Sequence, residues 1–212
     1  ATDSLNVAVG YQAGLSLTTG TRNTLIGSDV ADALTTGNQN TIVGEGAGSA
    51  LTDADYNVVL GRAALPADTK GSRSTAIGYN TLSAQNFTTA TDTYNVAIGY
   101  ETGHDITTGI KNTLIGGLTG DAQTTATANT GVGYGALGAN TTGQSNVAVG
   151  ENALGNYNVT DGSESFNTAL GYRAGLSVST GQQNVLIGSQ AGDALTDADI
   201  NVAIGNNALT TD

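Results

Sequence analysis

The sequence predicts an all-β chain, a parallel β-solenoid of about twelve coils. A phrase of the form Asn-Val-Ala-Val-Gly returns at a fixed interval from Asn6 to the end of the chain. The interval, 17 residues with two exceptions, is too short for one repeat to bury its own apolar face, so each must stack on its neighbours. Within the phrase, β-branched and aliphatic residues occupy successive positions, as a short strand requires.

The copies begin at Asn6, Asn23, Asn40, Asn57, Ser74, Asn95, Asn112, Asn129, Asn146, Asn167, Asn184 and Asn201. Residues 1–5 are a short lead-in, and residues 6–73 make four coils of 17. Coil five, residues 74–94, carries four extra residues around Asn86-Phe87-Thr88-Thr89. Three normal coils follow, then coil nine, residues 146–166, again 21 long. Two normal coils and a partial one complete the series to Asp212. No linker or shift in composition interrupts it, so residues 1–212 are expected to form a single repeat domain.

Each coil is numbered here from its Asn. Position 2 is Val or Thr, position 4 is Val, Ile or Leu, and position 5 is Gly in every copy. Alternation along a strand puts positions 2 and 4 on one face and position 3 on the other. The expectation is that positions 2 and 4 line the interior. Position 3 is then the outward column: Ala8, Leu25, Ile42, Val59, Ala76, Ala97, Leu114, Gly131, Ala148, Ala169, Leu186 and Ala203. It is never polar, and no charge falls at positions 1 to 5 of any coil. A strand apolar on both sides is buried on both sides. The position-3 stripe is therefore expected to be an oligomer interface, since it exceeds the apolar patch a soluble monomer exposes.

The rest of the coil returns the chain. Where position 9 is Gly or Ala, position 12 is usually a large aliphatic, as in Gly14 with Leu17 or Gly48 with Leu51. Where position 9 is Leu, position 12 is polar, as in Leu65 with Asp68 or Leu137 with Asn140. One plug per coil suits a narrow, close-packed interior. Gly120 with Gln123 departs from the rule, and Leu118 is the expected substitute. The following Thr-Thr-Gly turns suit a glycine at positive φ. The Gly at position 5 suits a sharp corner or close backbone approach. The Asn column suits a left-handed corner or a ladder of amides bonded from coil to coil.

This pattern resembles the 17-residue repeats of trimeric phage tail fibres and related surface fibres, whose phrase is Asn-Thr-Ala-Ile-Gly-Tyr-x-Ala-Leu followed by Thr-Thr-Gly. Gly78-Tyr79-Asn80-Thr81-Leu82, Gly133-Tyr134-Gly135-Ala136-Leu137 and Gly171-Tyr172-Arg173-Ala174-Gly175 are close versions of it. It is also similar to the YadA-like head of trimeric autotransporter adhesins, whose coils are shorter. The resemblance covers nearly the whole chain and implies a left-handed β-roll assembled as a homotrimer. Handedness is implied by the resemblance alone. The family's membrane anchor, tip domain and C-terminal chaperone have no counterpart in this sequence.

Composition narrows the function. The net charge is −12, and six scattered basic residues argue against binding nucleic acid. Absence of cysteine removes disulfides and thiolate chemistry. No apolar run approaches the ~20 residues of a membrane span, so this segment is not expected to insert into a membrane. Glycine is abundant, at 31 residues, and aliphatics recur in register, which argues against disorder.

Candidate chemistry is thin. His104, the sole histidine, lies beside Asp105 with no triad to complete. Asp53 with Asp55 and Asp197 with Asp199 are weak calcium candidates, without the full EF-hand spacing or the calcium-roll nonapeptide. Asp161 and Glu164 are the only suggestive carboxylate pair for glycosidase chemistry. Tyr11, Tyr79, Tyr100, Tyr134 and Tyr172 share position 6, where they cover an edge or stack sugars.

The expectation is a non-enzymatic, cofactor-free structural shaft or adhesive head of an extracellular trimeric fibre, on a virion or a bacterial surface. Its turns would contact a host glycan or protein receptor, with Asn86, Phe87, Tyr157, Asp161 and Glu164 in the long coils as contact candidates. Two alternatives are a polysaccharide-degrading tail-spike-like enzyme and a single-chain ligand- or ice-binding solenoid. Ice binding is disfavoured while the position-2 threonines are taken to point inward.

Overall fold

The computed structural model describes residues 4–210, so residues 1–3 of the lead-in and 211–212 of the last coil lie outside the described residues. Among the described residues there are fourteen strands and no helix. Twelve are the three-residue repeat strands: β1 (Val7–Val9), β2 (Thr24–Ile26), β3 (Thr41–Val43), β4 (Val58–Leu60), β6 (Thr75–Ile77), β8 (Val96–Ile98), β9 (Thr113–Ile115), β10 (Thr130–Val132), β11 (Val147–Val149), β12 (Thr168–Leu170), β13 (Val185–Ile187) and β14 (Val202–Ile204). They pair in sequence order in one continuous twelve-stranded parallel sheet. Register is position on position, Val7 against Thr24, Ala8 against Leu25 and Val9 against Ile26, through both long coils. The chain is a parallel β-solenoid of twelve coils. At ~4.8 Å per stacked strand, the sheet is roughly 55 Å long.

The remaining strands belong to the extra length. β5 (Gly71–Ser72) pairs in parallel with β7 (Thr91–Asp92) as a second, two-stranded sheet. A single bridge joins Gln144 to Glu164 at the equivalent corner of coil nine. Both insertions thus leave and rejoin the stack at one corner, and the strand register is untouched.

The strands are oriented the other way round from the sequence expectation. Position 3 faces inward: Leu25, Ile42, Val59, Ala76, Ala97, Leu114, Ala148, Ala169 and Leu186 are fully buried in the chain's own core, and Ala203 nearly so. Ala8 is exposed only because it belongs to the first coil, with no described coil beyond it. Positions 2 and 4 face outward: Val58 and Leu60 are 42% and 47% exposed on either side of fully buried Val59. These position-3 residues are core packing and not an interface. The physical reason is volume. Position 3 shares a narrow interior with the plugs at positions 9 and 12, and its size varies to suit them. Gly131 sits where a Cβ would press on Thr119 and Leu114, with Leu137 close by.

The plug rule itself holds in space. Leu34, Leu51, Ile106 and Val178 at position 12 are buried, as are Leu65, Leu82, Leu137 and Leu154 at position 9. A Cβ at Gly48 would stand 3.0 Å from Leu51 and 3.1 Å from Ile42, so both plugs reach for the same space. In coil seven the plug is Gln123, which is fully buried, whereas Leu118 lies on the outside.

An amide ladder holds the coils in register. Each Asn Oδ1 accepts the main-chain N–H of the next coil's Asn, as in Asn40 onto Asn23 at 2.9 Å and Asn129 onto Asn112 at 3.0 Å. In most coils its Nδ2 donates across the interior to the carbonyl of position 15, as Asn23 does to Gly37 at 2.8 Å and Asn112 to Ala126 at 2.8 Å. Of the two expectations for the Asn column, the ladder is the one realised. The left-handed residue is its predecessor, from Leu5 (φ 52) and Arg22 (φ 59) through to Ile200 (φ 59). The Thr-Thr-Gly glycines are not at positive φ, contrary to expectation, and Ala54, Ala126 and Ala198 take their place in other coils. The position-5 glycines combine both expected reasons. Their φ lies between 129° and 145°, and a Cβ at Gly27 would collide with the carbonyl of Gly44 in the next coil.

Candidate functional site

The orientation of the strands makes the outer sheet face the most distinctive surface of the molecule. It presents two columns, Val or Thr at position 2 and Val, Ile or Leu at position 4, on twelve strands in register. The exposed large hydrophobics are concentrated there. All of them except Leu15 and Leu209 fall at positions 2 and 4 or on the two bordering columns. One border is the left-handed residue before each Asn, including Leu5, Tyr56, Tyr94, Phe166 and Ile200. The other is position 6, past the glycine corner, with Tyr11, Tyr79, Tyr100, Tyr134 and Tyr172. The columns at 2 and 4 carry no charge in any coil.

The borders are partly ordered by their own contacts. The Arg73 guanidinium lies 4.7 Å from the Tyr56 ring centre and 5.9 Å from that of Tyr94, and its Nε meets Asp92 at 2.9 Å. On the other border, Tyr79 stacks on Tyr100 at 5.6 Å, and Arg62 lies over Tyr79 at 5.7 Å. Exposed ion pairs of this kind contribute little to stability. They do fix aromatic rings in place beside the apolar columns.

With both borders included, a strip ~55 Å long and ~15 Å wide presents roughly 800 Å², the area one partner gives to a standard interface. Its width is constant, because every strand of this sheet has three residues and the same register. Within the strip, charged residues such as Arg22, Lys111, Glu45 and Glu151 occur only on the borders, so the uncharged part is the two central columns, and an exposed stripe of aliphatic residues along a whole molecule marks a surface made for contact.

The sites expected from sequence are placed as follows. Asn86, Asp161 and Glu164 are exposed on the long corners. Phe87 and Tyr157 are buried, and this corrects their assignment as contact residues. Tyr157 is the position-12 residue of coil nine and lies in the core there, and Phe87 follows the polar position-12 residue Gln85 in coil five, so each buried ring stands at the base of an insertion. Asp161 accepts the Ser163 N–H at 3.0 Å, which holds its carboxyl below the usual range, and Glu164 joins the bridge to Gln144. They belong to one turn of the long corner, and their hydrogen bonds are those of that turn.

Asp55 and Asp199 cap the preceding coil, accepting the N–H of Asn38 at 2.6 Å and of Gln182 at 2.7 Å. Asp53 bonds to the Thr52 hydroxyl and faces Lys70 at 3.5 Å, and Asp197 bonds to Thr196. Among the described residues no three His, Cys, Asp or Glu side chains gather as a metal site would require. His104 Nδ1 meets Asp105 Oδ1 at 2.6 Å on the exposed surface.

A second surface feature escaped sequence reasoning. A cleft of about 360 Å³ opens around the position-6 corner of coils seven to nine, lined by Leu118, Asp121, Tyr134, Gly135, Gly138, Ala139, Asn152 and Gly155. Its sequence signal is the pair of glycines at position 10 of successive coils, where other coils carry Leu15, Pro66, His104 or Leu176. Comparisons with protein-family models, curated proteins and solved structures return no match to this chain.

Proposed function

We propose that this chain is a structural and adhesive segment of an extracellular fibre, in which three copies pack through the outer sheet face. The single observation that carries the reading is the uncharged double column at positions 2 and 4, apolar at every position 4 and bordered by aromatic rings. An apolar strip of constant width suits a partner with the same repeat, since identical coils rise in step and meet like with like. The number three and a left-handed winding rest on the resemblance to trimeric fibre repeats. The function is reach and multivalent presentation: three identical chains display identical corners, so weak contacts add. The exposed residues of the long corners, Asn86, Asp161 and Glu164, are the contact points best placed for a receptor on a host surface.

Substituting Ile98→Glu together with Ile115→Glu tests the interface. Both side chains lie outside the core on neighbouring strands. The double variant is expected to keep its β-type circular dichroism and to sediment as a smaller species than the parent. Unchanged sedimentation would show that the sheet face is not the contact.

One observation favours a second reading. Thr24, Thr41, Thr75, Thr113, Thr130 and Thr168 stand on the outer face, not the inner one. This removes the orientation argument against an ice-binding solenoid. The aliphatic residue at every position 4 and the irregular threonine spacing weigh towards a protein partner. A thermal hysteresis assay separates the two, and activity in a monomeric chain would support ice binding.

A further inference from the structure

We propose that the cleft on coils seven to nine is a binding site for a single neutral pyranose residue. This gives a chemical identity to the surface glycan that the fibre reading invokes, and it does not depend on how the chains associate. The cleft is an omission from a repeating surface. Position 10 carries a side chain in each of the other coils, but Gly138 and Gly155 omit it in two successive coils, leaving a notch at Gly138 that the Leu176 side chain borders beyond Gly155. Neither glycine is required by its backbone. Both lie outside the left-handed region, and a Cβ at either would meet its nearest neighbour at 3.1 Å, which is tight but free of outright collision. Leucine at the same place in coils one and ten shows that the coil accommodates a large side chain there. At Gly155 the Leu176 side chain of the next coil already stands 3.1 Å from the place of a Cβ, whereas at Gly138 the nearest atom is a main-chain carbonyl of its own coil, so the missing side chain at Gly138 is the one that packing does not explain.

The groups around the notch match a sugar ring. The Tyr134 ring stands 57% exposed at one side and offers an apolar face to axial C–H bonds. The Asp121 carboxylate borders the notch, its Oδ1 3.6 Å from the place of a Cβ on Gly138, and accepts hydroxyl donors. The Asn152 amide, which lines the cleft beside Gly135, offers a donor and an acceptor. Asp121 is partly desolvated, which pushes its carboxyl above the usual range. An acceptor held partly out of water favours hydroxyl donors and rejects anions, and the net charge of −12 adds to that rejection. The cleft contains one carboxylate, so it is arranged to bind a glycoside rather than hydrolyse one.

The test is saturation-transfer NMR on the intact chain with the methyl glycosides of glucose, galactose, mannose and N-acetylglucosamine, and with that of sialic acid as the anionic control. Transfer to the ring protons of at least one neutral glycoside is expected, with none to sialic acid. Gly138→Leu, which restores the side chain seen in coils one and ten, is expected to abolish transfer. Asp121→Asn, which disturbs no packing, is expected to weaken affinity roughly tenfold. Silence with all four neutral glycosides would overturn the proposal, and so would binding of sialic acid alone. A signal unchanged in both variants would also overturn it. Gly155→Leu serves if Gly138→Leu fails to fold. None of these outcomes alters the chain's mass in solution, so the cleft and the fibre reading fail separately.

Discussion

At the scale of the residue, the fold is bought with strained corners. Three positions in each coil, 7, 9 and 17, sit in the left-handed region. Glycine occupies only some of them, and residues such as Leu65 (φ 50), Arg73 (φ 64) and Lys111 (φ 61) take the rest. Each such L-residue costs about 1–2 kcal/mol. The strain persists because most of these corners donate their N–H into an adjacent coil, as Lys111 does to Thr93 at 2.7 Å and Leu65 to Thr81 at 2.9 Å. None of this was legible. Position 17 holds Leu, Arg, Gln, Tyr, Lys, Ala, Ser, Phe and Ile, which share no chemistry and have no taste for positive φ. A prediction follows at Ala128, which is exposed at φ 59. An exposed Ala→Gly change ordinarily costs about 0.5–1 kcal/mol within regular structure. Here Ala128→Gly is expected to be neutral or to stabilise by up to about 1 kcal/mol, seen as an unchanged or higher melting temperature. A clear fall in melting temperature would show that the corner is unstrained.

At the scale of the element, the period, the strands and their parallel register were all legible, because each leaves a column of like residues. The direction of the strand face was not. Alternation normally identifies the inner face by polarity, and here positions 2, 3 and 4 are all largely apolar. The clue was size. Position 3 ranges from Gly131 to Leu114 in compensation with the plugs, whereas position 2 accepts a threonine hydroxyl in six of twelve coils, as an exposed face permits. The amide ladder was legible except where Ser74 interrupts it. There Gln85 substitutes, donating to Ser74 Oγ at 3.0 Å and accepting from Asn95 Nδ2 at 2.9 Å.

Gln85 also donates to Asp68 at 2.6 Å, and Asp68 takes the N–H of Phe87 at 3.0 Å and of Gly71 at 3.1 Å. Burial pushes the Asp68 carboxyl up, against the opposing pull of those hydrogen bonds. A carboxyl raised in the folded state binds its proton more tightly there than in the unfolded chain. Its contribution to stability therefore grows as pH falls through the raised value towards the ordinary ~4, and is lost as pH rises. Asp68→Asn is expected to remove that component, leaving a flatter dependence of melting temperature on pH as pH falls from neutral towards the ordinary carboxyl range of ~4. Identical pH profiles in the two proteins would mean that Asp68 is not desolvated.

At the scale of the whole molecule, the repeat sums many small coils into one rod, and function rests on which surfaces of that rod stay uncovered. The cleft belongs to this scale and was the least legible feature. Gly138 and Gly155 are 17 residues apart and look like two more turn glycines until the column they interrupt is seen. The sheet face belongs here too, and it carries the central claim. That claim is tested most directly by the mass of the unmodified chain in solution, measured by light scattering across a range of concentrations. A stable species of about three times the 21.0 kDa chain, unchanged on dilution, is expected. A species at the mass of one chain throughout would contradict it, because the apolar columns at positions 2 and 4 would then face water with no copy to cover them.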